Sequence, residues 1–196
     1  LEASLIADAQ TGPTYGEIAP GSDLTIDAPA YIDGKLKASG VTITINGPGT
    51  VYVTDKIEAS GGGTFINNGG ATLASATQIV LSGGSLYQVQ GDPTQAAIIS
   101  FGTSGNNAMV LSGDSTGNAN GIAYAPRGGI TLSGGSNWHG ALVAGGAPGS
   151  AKVTLSGGSG VEMTVGLISG SPLFNGGGDD GGSGAGTLAI VRMREL

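Results

Sequence analysis

The chain has 196 residues, of which 40 are glycine, 7 are Lys or Arg and 14 are Asp or Glu, for a formal net charge of −7. Charged residues make up 11% and apolar residues 39%, so the chain is too apolar and too weakly charged for a typical disordered segment. No Gly-X-Y period runs through it, which excludes collagen. The absence of cysteine excludes disulfides and thiolate metal sites, the single His139 cannot form a zinc site alone, and no apolar run reaches the ~18 residues of a membrane span.

At the front, Leu1-Glu2-Ala3-Ser4-Leu5-Ile6-Ala7-Asp8-Ala9 reads as a short helix that caps the end of the structure. Residues 1–22 form this N-terminal extension, and residues 23–32 begin a first, irregular coil. No basic n-region followed by an apolar stretch opens the chain, so no signal peptide is visible. With Leu1 in first place, either an export signal was removed or the chain is a piece of a longer protein.

An internal repeat follows. Ile79-Val80-Leu81-Ser82-Gly83-Gly84-Ser85 returns as Val110-Leu111-Ser112-Gly113-Asp114-Ser115. It returns again as Ile130-Thr131-Leu132-Ser133-Gly134-Gly135-Ser136 and as Val153-Thr154-Leu155-Ser156-Gly157-Gly158-Ser159. Two weaker copies precede these, at Leu36-Lys37-Ala38-Ser39-Gly40 and Ile57-Glu58-Ala59-Ser60-Gly61. The anchors Leu36, Ile57, Leu81, Leu111, Leu132 and Leu155 are spaced by 21, 24, 30, 21 and 23 residues. A unit of about 22 residues fits, with an insertion of about eight expected in residues 91–107. A second apolar run precedes several anchors: Val51-Tyr52-Val53, Ile98-Ile99-Ser100-Phe101, Ile122-Ala123-Tyr124-Ala125 and Ala141-Leu142-Val143-Ala144.

Short runs rich in Val, Ile, Thr and Tyr, bounded by Gly, Asn, Ser and Pro, read as strands. The Asn-Gly steps at Asn46, Asn68, Asn120 and Asn175 supply positive-φ turn positions. A unit of this length, with two or three short strands and glycine corners, is one coil of a single-stranded parallel β-helix. About six coils of 21–24 residues are expected over residues 23–170, at about 4.8 Å per coil. The anchors stack as an aliphatic ladder, and Ser-Gly-Gly-Ser turns the corner. Parallel crossovers favour the right hand, so a right-handed all-β solenoid is expected. An antiparallel sandwich is the alternative, but hairpin partners need not resemble each other, whereas these units nearly repeat. Behind the solenoid, residues 171–186 read as a Gly-rich linker. Residues 187–196 read as an extra C-terminal strand that pairs with a partner outside the solenoid.

Candidate chemistry is sparse. The carboxylates are isolated along the chain, and the one adjacent pair, Asp179-Asp180, lies in the glycine linker. Residues 181–189 follow a calcium-binding repeat except that Gly186 replaces the ligand Asp, so no bound Ca²⁺ is expected. No catalytic residue, cofactor site or metal site is assigned. Trp138 lies six residues after Leu132, and Tyr87 lies six after Leu81, which places both in one column of a solenoid. Together with His139 they could form an exposed aromatic track for sugar rings. The plainer reading packs both aromatics over a corner. His139 lacks a nucleophile and acid partner in any recognisable motif, and no Gly-Lys-Ser/Thr phosphate loop is present. Thr42-Ile43-Thr44 resembles the Thr-x-Thr rows of ice-binding solenoids, but a single copy makes no row. The basic residues Lys35, Lys37, Lys56, Arg127, Lys152, Arg192 and Arg194 are scattered along the chain, so nucleic-acid binding is not expected.

The segment Ile122-Ala123-Tyr124-Ala125-Pro126-Arg127-Gly128-Gly129-Ile130-Thr131-Leu132-Ser133-Gly134-Gly135-Ser136-Asn137-Trp138-His139-Gly140-Ala141-Leu142-Val143-Ala144 resembles the β-solenoid domains of PilX-like accessory proteins of type IV pili. Their Tyr-Ala-Pro step, Leu-Ser-Gly corner and Gly-Ala-hydrophobic-Val-Ala run are all present. Gly49-Thr50-Val51-Tyr52-Val53 followed by residues 57–61 is similar to their earlier coils, and Met193-Arg194-Glu195-Leu196 to their short terminal strand. Such proteins begin with a long apolar helix that inserts into the pilus core, and it is absent here. The resemblance therefore implies an outer domain, with that helix cut away or never present. It also implies a bacterial cell-surface, extracellular location and no catalytic residues.

The function expected is a non-catalytic structural and adhesive module of a type IV pilus-like appendage. Its partners would be other pilus or filament subunits and surface glycans, with no membrane span in this chain. Two alternatives remain: a self-assembling filament subunit like the bactofilins, and a carbohydrate-binding or carbohydrate-cleaving β-helix.

Overall fold

A computed structural model describes residues 1–90, 96–103, 108–113, 119–145 and 152–162. It is a parallel β-solenoid of about five turns, 52% strand and 6% helix. The chain opens with helix α1 (Glu2–Ala9) and the strands β1 (Thr14–Tyr15), β2 (Leu24–Asp27) and β3 (Ala30–Ile32). Two regular coils follow: β4 (Leu36–Ser39), β5 (Thr42–Asn46) and β6 (Thr50–Val53), then β7 (Ile57–Ser60), β8 (Thr64–Asn68) and β9 (Thr72–Ser75). The upper coils are β10 (Ile79–Leu81), β11 (Leu86–Gln90) and β12 (Ala97–Ser100), then β13 (Met109–Leu111) and β14 (Ala119–Ala125), then β15 (Ile130–Leu132) and β16 (Asn137–Ala144). The strands β17 (Val153–Leu155) and β18 (Gly160–Glu162) complete the described part.

Three sheets form the sides of the column. The long face has eight strands in the order β1-β3-β6-β9-β12-β14-β16-β18, the middle face six in the order β17-β15-β13-β10-β7-β4, and the short face four in the order β11-β8-β5-β2. Every strand pairs in parallel with its equivalent one coil away. The second apolar runs expected from sequence all fall on the long face, where Val51, Leu73, Ile98, Ala123 and Leu142 register in one inward column.

The middle face carries the aliphatic ladder, with its register shifted from the one expected at the two earliest coils. Leu36, Ile57, Ile79, Met109, Ile130 and Val153 form one column. Ala38, Ala59, Leu81, Leu111, Leu132 and Leu155 form the other. Leu36 and Ile57 thus align with Ile79 and not with Leu81. The 24-residue spacing read from the sequence becomes 22, because Ile57 pairs with Ile79. In the two early coils alanine takes the rung that leucine fills above, so matching the larger aliphatics to one another points to the wrong column. Burying each leucine or isoleucine side chain stabilises by roughly 1.5–3 kcal/mol, so the ladder is the main source of cohesion on this face.

Ser-Gly-Gly-Ser turns the corner between the middle and short faces by a definite mechanism. Gly134 and Gly135 both take left-handed backbone angles, φ +64° and +80°, and a Cβ on Gly134 would lie 3.0 Å from the Gly113 amide one coil below. Glycine is therefore needed both for its dihedral and for close approach. The closing serine turns inward and its hydroxyl donates back to the opening residue: Ser136 Oγ to the Ser133 carbonyl at 2.8 Å, Ser159 Oγ to Ser156 at 2.6 Å, and Ser85 Oγ to Ser82. In the Asn-Gly steps the glycine takes the positive φ, at Gly47, Gly69 and Gly121. Asn175 lies outside the described residues.

The expected insertion divides between two corners. On the long face Thr50 pairs with Thr72, 22 positions on, whereas Thr72 pairs with Ala97, 25 positions on. That places three extra residues between the short and long faces. Ser75 precedes Ile79 by four positions and Ser100 precedes Met109 by nine, which places five more between the long and middle faces. Above this coil the corner between the short and long faces disappears. The strands β14 and β16 run straight through it at Gly121 (φ +107°) and Gly140 (φ +140°).

The N-terminal helix forms, but it does not cap an end. It lies along the outer surface of the long face, where Leu5, Ile6 and Ala9 pack with Tyr52, Ala74, Ile99 and Phe101. Glu2 fixes its N-terminal end: one carboxylate oxygen accepts from the Tyr52 hydroxyl at 2.8 Å, and the other pairs with Arg127 at 2.7 Å. Outward side chains beneath the helix are apolar, so the helix buries them. The first coil is made by β1, a bridge from Ile18 to Leu36, and β2.

Candidate functional site

Tyr87 and Trp138 are not on the surface. Both are fully buried, with rings 6.1 Å apart and 4° from parallel. Leu24, Ile43, Phe65 and Tyr87 form one inward column of the short face. The backbone of Trp138 registers with Ala119 and Val161. The polar atoms of the pair are satisfied inside the core. Trp138 Nε1 donates to the Gly121 carbonyl at 3.2 Å, and Asn67 Nδ2 donates to the Tyr87 hydroxyl at 3.0 Å. Asn67 is itself buried and closes the turn ahead of β9: Nδ2 donates to the Ala71 carbonyl at 2.6 Å, and Oδ1 accepts from the Ala71 amide at 3.0 Å. Burial pushes the Tyr87 hydroxyl well above its ordinary pKa, against the hydrogen bond from Asn67. These aromatics form a floor, and no sugar ring can stack on them from outside.

His139 alone of the three candidates lies at the outer side of this region. It is half-buried in β16 and registers with Asn120. Beside it the short face breaks. The strand β11 is the last in its sheet, and where the next rung should be, the Asn120 side chain stands in for a strand. Its Oδ1 accepts from the Val89 amide at 2.6 Å, and its Nδ2 lies 3.5 Å from the Val89 carbonyl. A cavity of about 250 Å³ results, lined by Gln88, Val89, Gln90, Asn120 and His139. Gln88, Gln90 and Asn120 bring amide donors and acceptors to it, suited to hydrogen bonding with hydroxyl or amide groups. Sequence reasoning found His139 but missed Asn120 and the two glutamines. The available signal was the 19-residue interval between Ala119 and Trp138, shorter than the repeat unit.

The carboxylates are used between coils. Asp27 accepts from Asn46, which in turn accepts from Asn68, each at 3.2 Å. Asp33 accepts from Thr54, Asp55 from Thr77, and Asp23 from the Thr42 amide. Glu58 pairs with Lys56 at 3.2 Å and Lys37 at 3.7 Å. Burial would raise the Glu58 pKa, but these two cations outweigh it and hold the carboxyl below its usual value. Among the described residues no group of three or more His, Asp or Glu side chains could hold a metal ion, and no helix is long and apolar enough to cross a membrane.

Three of the basic residues, far apart in sequence, meet in space. Lys35, Lys56 and Arg127 line one groove at the corner between the long and middle faces. In β5, Ile43 is buried while Thr42 and Thr44 are only half-buried. Asp179, Asp180, the calcium-like stretch 181–189, the linker 171–186 and the strand 187–196 lie outside the described residues. No family model, curated protein or solved structure matches the chain.

Proposed function

We propose that the chain is a structural and adhesive module displayed on a bacterial cell-surface appendage of the type IV pilus kind. The observation that carries this reading is the use of the carboxylates. Asp23, Asp27, Asp33, Asp55 and Glu58 all bond to a neighbouring coil. An enzyme would need acids free to act on a substrate; a stiff column needs them as cross-ties. The assignment to a pilus rests on the resemblance carried by residues 122–144, which span β14, β15 and β16. Immunogold labelling of the source cells tests it. Label running along pili is the expected result, and label elsewhere on the envelope would remove the pilus from the proposal.

A second reading, a self-assembling filament subunit, draws support from the first coil. Among the described residues β1 and β2 each pair on one side only, leaving edges that another copy could extend. Fibres that grow with protein concentration favour this reading, and a strictly monomeric sedimentation profile removes it.

A further inference from the structure

We infer that the groove at the corner between the long and middle faces binds an acidic oligosaccharide. Its volume is about 650 Å³, against about 250 Å³ for the cavity beside His139, and it falls within the range of small-molecule sites. It lies at the corner that carries five extra residues after β12 (Ala97–Ser100), so it is a departure from the repeat.

Three of the chain's seven basic residues line it, on a protein whose net charge is −7. Lys35 and Lys56 immediately precede Leu36 and Ile57, which are register partners on adjacent coils. The two ammonium groups therefore stem from backbone positions about 4.8 Å apart along the column. Arg127 follows β14, three strands beyond β6 on the long face, or about 14 Å further along. The cations thus mark the two ends of an elongated trough. Lys35 has no ion-pair partner among the described residues. Arg127 is positioned by Glu2 and by the Phe101 ring, whose centroid lies 5.4 Å from the guanidinium carbon, yet its side chain stays 52% exposed. With five N–H donors it has capacity for a ligand carboxylate or sulfate.

The remaining lining narrows the ligand class. Asp55 sits among the cations, and one of its oxygens accepts from the Thr77 hydroxyl at 3.3 Å. The second oxygen makes no hydrogen bond among the described residues and can accept from a ligand hydroxyl. A polyphosphate strand would bring negative charge to this carboxylate with few donors to satisfy it, and an acidic peptide segment would bring only its backbone N–H groups. A sugar chain bearing uronate or sulfate groups brings both: anions for Lys35, Lys56 and Arg127, and hydroxyls for Asp55. Sugar rings repeat at roughly strand spacing, so three or four rings span the trough. The inference rests on the groove alone and is independent of the appendage reading.

Titration calorimetry on the full chain tests it. The probes are an oligogalacturonate of four units, a chondroitin sulfate tetrasaccharide, neutral maltotetraose and an oligothymidylate. Saturable binding of at least one acidic sugar is expected, weakened by added salt, with none for maltotetraose. The arm that binds tighter identifies carboxylate or sulfate as the recognised group. Lys35→Gln and Lys56→Gln should each weaken binding about ten-fold, while Lys152→Gln, outside the groove lining, should bind like the parent. Lys35 is exposed and makes no ion pair among the described residues, so its variant keeps the fold, and circular dichroism verifies that. The inference is overturned by absence of binding to both acidic sugars, by equal binding of maltotetraose, by tighter binding of the oligothymidylate, or by Lys35→Gln and Lys56→Gln variants that bind like the parent.

Discussion

The lower coils, β4 through β9, and the upper coils, β10 through β16, solve the same packing problem differently. In the lower coils each face is a separate strand, and each corner is a short turn. Asp27, Asn46 and Asn68 tie one of these corners together across the coils. In the upper coils one coil gains eight residues and the next two lose a corner entirely. The middle face passes through both regions with its strand pairing unbroken and its strands three or four residues long, from Leu36 to Val153. The aliphatic ladder and its glycine corner therefore hold the column in register, while the other two corners are free to vary. Both cavities, one lined by Gln88 to His139 and the other by Lys35 to Arg127, border the coil that departs from the repeat. These two cavities lie where the repeat is broken and not where it is best kept.

If the middle face holds both regions together, damage there should not stay local. Leu132 is fully buried between Leu111 and Leu155. Leu132→Asp should abolish folding or cost well over about 4 kcal/mol, because it buries an unpaired charge. Leu132→Ala keeps the test readable, at an expected cost of about 2–5 kcal/mol. Urea unfolding followed by circular dichroism measures both, and a Leu132→Asp protein that unfolds like the parent would mean that the ladder is not the common element.

Within the upper coils the glycines separate a kept corner from a lost one. At Gly84, a regular corner with φ +75°, a Cβ would meet nothing within 4 Å, so Gly84→Ala should cost only the left-handed strain, about 1–2 kcal/mol. At Gly140, φ is +140° and a Cβ would fall 2.1 Å from the Gly121 carbonyl oxygen. Gly140→Ala must displace backbone in two coils at once and should cost about 3 kcal/mol or more. Equal losses for the two variants would mean that the straight-through strands do not depend on this close approach.

Much of this architecture was legible in the sequence, because the physics of the repeat is local. A Leu-Ser-Gly-Gly-Ser string needs its two left-handed glycines and its inward serine wherever it occurs, so three occurrences announced three corners. What was hidden depended on neighbours in space. Whether Leu36 or Ala38 shares a rung with Leu81 is decided by pairing, and the two residues look equally plausible in the chain. Tyr87 and Trp138 stack as their common offset suggested, but the side that Tyr87 faces was set by the short face, where it continues the inward column of Leu24, Ile43 and Phe65. The grouping of Lys35, Lys56 and Arg127 was invisible because they lie 21 and 71 residues apart in the chain and only the stacking brings them to one corner.

The asparagines give a smaller test of the same contrast. Asn120 replaces a strand, and its loss leaves the Val89 amide without its acceptor at a buried site. Asn120→Ala should therefore cost about 1–2 kcal/mol. Asn68 is exposed and makes a side-chain bond to Asn46 that water can replace, so Asn68→Ala should cost at most about 0.5 kcal/mol. Thermal melts of the two variants side by side would reveal whether an amide works harder where the sheet is broken. The reverse order would show that the broken face is held by something else.

The least effect is expected from acid, and it should be confined to the lower coils. The outward column of the middle face reads Lys37, Glu58, Val80, Val110, Thr131 and Thr154 from bottom to top. Charge occupies only its lower end. Burial works against the Glu58 carboxylate, but Lys56 and Lys37 lower its pKa below the ordinary 4.5. Its ion pairs therefore contribute stability above that pH, and the contribution is lost as pH falls through the lowered value. Because the pair is partly exposed, the amount is under about 1 kcal/mol and shrinks in salt. Hydrogen exchange at pH 3 and pH 7, corrected for intrinsic rates, should show amides of β7 losing more protection than those of β15. Glu58→Gln should abolish that difference. Equal losses in the two strands would mean that acid acts on the column as a whole, and that its lower end owes no measurable share of its cohesion to charge.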